Sequence, residues 1–152
     1  MTKEEIKNKL FETCEAEISR QIAFSEEQMS REQKTANMYK GAMESRYDTF
    51  KEEAQARKDM NAMTVERLLK QKSILITSKN AKCQTATPGA VVETPGDNYF
   101  ILFYLFEDGI AVDGKEYFVI SLESPAGTAL RDKKAGDKFY INGREIEINE
   151  IY

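Results

Sequence analysis

A chain of 152 residues with 41% hydrophobic and 32% charged residues carries enough apolar side chain for one or two small cores and too much of it for a disordered tail. It contains no histidine, which excludes the commonest general base at neutral pH, any Ser/His/Asp or Cys/His triad and most zinc sites. A net charge of −4 disfavours binding nucleic acid through phosphate neutralisation, so no independent sequence-specific nucleic-acid binding is expected and a protein partner fits better.

Met1-Thr2-Lys3-Glu4-Glu5-Ile6 lacks the apolar stretch of a signal peptide, and no apolar run approaches the roughly 20 residues needed to cross a bilayer. A cytoplasmic location with no membrane partner is the expectation. Cys14 and Cys83 lie far apart and match neither a disulfide framework nor a metal spacing, so both are expected as free thiols. Gly41 is the single glycine before Pro88, the first proline, and it divides two segments rich in Glu, Lys, Gln, Ala, Met and Arg. The pattern predicts helices over 3–38 and 44–76 that turn near Gly41 and pair antiparallel. Ile6, Leu10, Cys14, Ile18 and Ile22 recur at helical spacing in the first, and Tyr47, Phe50, Ala54, Val65, Leu68, Leu69 and Leu75 outline a less regular stripe in the second. Apolar content thins between Ser25 and Met43, so the distal half reads as an arm, of reach on the order of 50 Å at about 1.5 Å per residue. The same hairpin could instead dimerise as a coiled coil, which leaves the oligomeric state open.

The second half is built differently: residues 1–79 hold 15 Lys/Arg and 14 Asp/Glu, residues 80–152 hold 7 and 12. Short β-like runs follow one another at Ala90-Val91-Val92, Tyr99 to Leu105, Tyr117 to Ile120, Lys138 to Ile141 and Arg144 to Ile148, separated by Pro-Gly, Asp-Gly and Asn-Gly turn signals. Asn142-Gly143 suits a two-residue type I′ hairpin, whose central positions both need positive φ. One helix is expected within Ser124 to Arg131, with Ser124 as cap and Pro125 at the first helical position. The fold class is α+β: a helical hairpin over 1–78, then a small antiparallel sheet domain with one helix over 79–152, of which 89–152 is expected to fold on its own.

The stretch Val119-Ile120-Ser121-Leu122-Glu123-Ser124-Pro125-Ala126-Gly127-Thr128-Ala129-Leu130-Arg131-Asp132-Lys133-Lys134-Ala135-Gly136-Asp137 resembles the C-terminal signature of the bacterial transcript-cleavage factors GreA and GreB. An Ile-Ser strand end, a Ser-Pro helix start, an Ala-Leu pair and a Gly-Asp turn six residues after the leucine occur in order, and Pro88-Gly89-Ala90-Val91-Val92 is similar to the strand that opens that domain. The residue-level match is confined to about 89–152, and the hairpin agrees in architecture only. Asp132 stands where the family usually has glycine, which predicts a different helix C-terminus.

The resemblance implies a coiled coil inserted through the secondary channel of RNA polymerase and an FKBP-like domain docked at the channel's rim. In it, Glu123-Ser124-Pro125 corresponds to the polymerase-docking loop, although Ser124 and Pro125 also simply start a helix. The protein would be an accessory factor and not itself an enzyme, with no cofactor of its own, and its tip carboxylates would help the polymerase hold a Mg²⁺ at its own active centre. Cleaving members carry Asp-x-x-Glu followed by Asn at the tip. That motif is absent here, and the nearest acids are Glu44 and Asp48, four residues apart on one helix face. Their plain reading is a first-turn acid and a solvated neighbour of Arg46 or Lys51. Lys40 and Arg46 flank the tip and could meet RNA. Three functions follow: a cleavage-promoting elongation factor, a non-cleaving polymerase regulator, and a coiled-coil adaptor unrelated to transcription.

Overall fold

The computed structural model describes the backbone of residues 1–38 and 44–152 and the side chains of residues 1–34 and 51–152. Two long helices come first, α1 at Lys3–Met38 and α2 at Glu44–Ser78. Helix α1 opens with a capping box: Thr2 Oγ1 accepts from the Glu5 amide at 3.2 Å, and the Thr2 amide donates to Glu5 Oε2 at 2.9 Å. Further along, Arg20 with Glu17 and Arg31 with Glu27 support the polar surface one turn apart, as Lys70 with Glu66 does in α2.

The chain divides into two compact units, Glu17–Lys72 and a second made of Met1–Ala16 with Ser73–Tyr152. In the first unit Arg57 Nε sits 2.8 Å from Glu32 Oε2, and Lys58 Nζ donates to Gln33 Oε1 at 2.9 Å. Helices that touch there and are joined by residues 39–43 must run in opposite directions. Ile18, Ala54 and Leu68 are buried between them, whereas Leu69, expected in the same stripe, is 51% exposed. Successive helical residues point about 100° apart, so Leu68 and Leu69 cannot both face inward. Gly41, the expected turn, lies outside the described residues.

The second unit holds the sheets. Strands β1 (Val91–Glu93), β2 (Asn98–Ile101), β3 (Ile110–Val112), β4 (Lys115–Ile120) and β7 (Glu150–Ile151) form one sheet in the order β3-β4-β2-β1-β7, and β5 (Lys138–Ile141) pairs with β6 (Arg144–Glu147) in another. Every pairing is antiparallel except β2 with β4, which run parallel. Asn142-Gly143 takes φ 51° and 76°, and Asp113-Gly114 takes 53° and 74°, so both tight hairpins have the left-handed turn that their residues favour.

The expected strand from Tyr99 to Leu105 ends at Ile101: the Leu102 amide makes the last bond to β4, donating to the Ile120 carbonyl at 2.8 Å, and the chain then leaves the sheet. Strands β3 and β7 had no counterpart among the expected runs. Helix α3 (Pro125–Leu130) sets Leu130 into a core with Val92, Tyr99, Ile101, Phe139 and Ile148. Residues of alternate parity point the other way: Phe100 meets Phe11 of α1 edge-on, ring centroids 5.1 Å apart at 78°. The first turns of α1 therefore belong to the sheet's packing, and Ile6, Leu10, Phe11 and Cys14 are all buried.

Candidate functional site

Strand β4 ends at Ile120, and the next four residues carry the chain onto α3. The Ser124 hydroxyl donates to the Ser121 carbonyl at 2.7 Å and accepts from the Gly127 amide at 3.0 Å, while the Ser124 amide donates to the same Ser121 oxygen at 3.2 Å. One serine thus closes the turn and caps the helix. Pro125 occupies the start of α3, where a missing N–H leaves no bond unmade.

The Leu122 carbonyl takes two side-chain donors, Thr128 Oγ1 at 3.2 Å and Arg131 Nη2 at 3.1 Å, so α3 grips the loop from two positions. Gly127 permits the approach: a Cβ there would lie 1.9 Å from the Ser121 oxygen and 2.7 Å from Leu122 Cα. The bound, capped loop presents Glu123 and Pro125 to solvent. Among the described residues Glu123 makes no ion pair, so a partner would meet an unneutralised carboxylate beside a rigid apolar ring.

Asp132, expected to alter the end of α3, adopts φ 62°. The left-handed backbone that glycine would favour is kept, and an aspartate fills it. Glu44 and Asp48 fall in the first turns of α2, and their side chains lie outside the described residues, as do those of Lys40 and Arg46.

The Glu93 cluster had no signal in the sequence. Glu93 Oε1 accepts from Tyr117 Oη at 3.0 Å and from Tyr152 Oη at 2.9 Å, with Lys115 Nζ 4.0 Å from its other oxygen. Burial, then the Glu93 carboxylate, pushes the Tyr117 phenol up to about 12 and raises Tyr152 as well. This cluster ties β1 and β4 to Tyr152, the residue after β7. Burial also pushes the Cys14 thiol up to about 12, which leaves it an unreactive part of the core. In α1, hydrogen bonds from Arg20 and Gln21 hold the Glu17 carboxyl down to about 2. Among the described residues no three His, Cys, Asp or Glu side chains gather as a metal site, and no helix is long and apolar enough to cross a membrane.

No family model and no curated protein matches the chain. Among solved structures, the GreA factor homologue 1 (Gfh1) of Thermus thermophilus aligns over 91% of this chain and 94% of its own, at 19% identity and a TM-score of 0.35. A second structure, of the transcription factor Gfh1, aligns over 91% and 93% at 16% identity and a TM-score of 0.34. A superposition that loose is no ground for assigning a function, which has to rest on the residues.

Proposed function

We propose that the chain is a cytoplasmic transcription elongation factor of the GreA/GreB type, which binds RNA polymerase at its secondary channel and promotes cleavage of backtracked RNA. The observation that carries the reading is the Ser121–Arg131 turn. The residues that resemble the family's docking signature are also those that fasten the loop, and they leave Glu123 and Pro125 outward on a rigid support. A loop already held in one conformation loses little entropy on docking. A long helical pair ahead of the sheet domain supplies the reach such a factor needs.

The chain would act as an accessory factor with no cofactor of its own. The Mg²⁺ held by the polymerase would supply charge stabilisation at the scissile phosphate. Glu44 and Asp48, one helical turn apart at the start of α2, would add oxygen ligands to that ion's shell. The test is a stalled, backtracked elongation complex: Glu44→Ala with Asp48→Ala should abolish stimulated cleavage while binding stays within about twofold, since residues outside the docking loop contribute little to its affinity. A double variant that cleaves like the parent would remove the carboxylate assignment. A second reading, a regulator that occupies the channel without cleavage, is favoured by the absence of the compact Asp-x-x-Glu-Asn tip, and a parent that binds but never stimulates cleavage would establish it.

A further inference from the structure

Residues 79–83, which follow α2, pass beside the first turns of α1, and the two segments enclose a cleft of about 350 Å³. Four lysines line it, Lys3, Lys7, Lys79 and Lys82, against one carboxylate, Glu4. Lys7 is the anomaly. Only 9% of it is exposed, yet its Nζ donates at 2.8 Å to the Ala81 carbonyl and otherwise approaches only Cys83 Sγ, at 3.9 Å. No carboxylate pairs with it among the described residues, and a part-buried ammonium with three donors at the wall of a cleft is stabilised by a nearby negative charge.

The rim does not supply that counter-charge. Lys79 and Lys82 are exposed and make no ion pair among the described residues. Lys3 is already occupied, 3.2 Å from Glu150 and 5.5 Å from the centre of the Tyr152 ring. Three lysines without a carboxylate partner among the described residues, Lys7, Lys79 and Lys82, therefore line one concavity in a protein whose net charge is −4. Of the amides that open α1, those of Thr2 and Glu5 are taken by the capping box, so the lysine side chains are the main attraction. Three lysines around one cleft suit a ligand with more than one negative charge and several acceptor oxygens, which a phosphate group offers and a single carboxylate does not.

We propose that this cleft binds a small phosphate-bearing anion, with Lys7 as the buried counter-charge and Lys79 and Lys82 at the rim. The plain competing role for Lys7 is to fasten residues 79–83 to α1, and calorimetric titration of the full chain with inorganic pyrophosphate at low ionic strength separates the two. The expected result is one saturable site, weakened at least about tenfold in Lys79→Gln with Lys82→Gln, the loss of charge-assisted hydrogen bonds at a solvent-facing rim. That double variant should keep the parent's circular dichroism and melting midpoint, and Lys7→Met should abolish uptake. Lys138→Gln, on β5, should bind like the parent. Absence of a saturable site, a rim variant that titrates like the parent, or an equal loss in Lys138→Gln would overturn the proposal, and the rim variant decides the matter even if Lys7→Met fails to fold.

Discussion

Gly127 shows how far one residue can be read from its surroundings. A Cβ at that position would meet backbone and not a movable side chain, so Gly127→Ala must push α3 off the Ser121–Leu122 turn. The expected cost is about 2–3 kcal/mol in urea unfolding, the range for forcing extra atoms into a packed site. Asp132 works in the opposite sense. Its φ of 62° is one that glycine adopts without strain, so Asp132→Gly should leave stability unchanged or raise it by about 0.5 kcal/mol, and a clear loss would mean that the aspartate has a bonding role. Tyr117 gives a pH dependence. In the folded chain its phenol stays neutral up to about 12, whereas the unfolded chain releases that proton near 10.0, so between those values the folded state holds more protons. Stability is then fully present below pH 10 and declines as pH rises towards 12. Phenolate absorbance should rise late and together with unfolding, and Tyr117→Phe should reduce the pH dependence without removing it, because burial and Glu93 raise the Tyr152 phenol as well.

At the scale of elements, the helices and hairpins were the legible part. Freedom from glycine and proline located α1 to the residue at both ends and α2 to within two residues at its C-terminus. Asn142-Gly143 located the β5–β6 turn because only a few residue types tolerate positive φ twice in succession. Strands β3 and β7 escaped notice: each has two or three residues, and β7 is held by pairing with β1 and not by any alternation of its own. The parallel β2–β4 pair was equally hidden, since strand direction follows from connectivity and not from local pattern. Phe11 lay outside the apolar stripe read from the sequence, because its partner Phe100 is 89 residues away. Phe11→Ala should therefore destabilise the sheet unit by about 3–4 kcal/mol, as for other buried phenylalanines, and a change under about 1 kcal/mol would show that α1 is only appended to it.

For the whole molecule, the docking loop and the tip carboxylates were both named from sequence, yet they stand differently. Glu123, Ser124 and Pro125 lie on a turn fastened by hydrogen bonds, while Glu44 and Asp48 lie in the opening of α2 with side chains outside the described residues. Gly127 could have been flagged as a glycine inside a helix, which usually marks a close backbone approach. The Lys7 cleft could not, since it joins residues more than 70 positions apart. If the loop docks and the tip acts, the two roles must separate by mutation, because a tip that is not held at the channel loses the high local concentration docking would confer. Binding of this surface to RNA polymerase, as proposed, is measured by co-purification of the chain with bacterial core RNA polymerase at defined stoichiometry. The account predicts a near-equimolar complex that is weakened at least about tenfold when Glu123→Lys reverses the exposed charge, the effect of truncating or inverting a central interface contact, and a parent chain that shows no complex would contradict it.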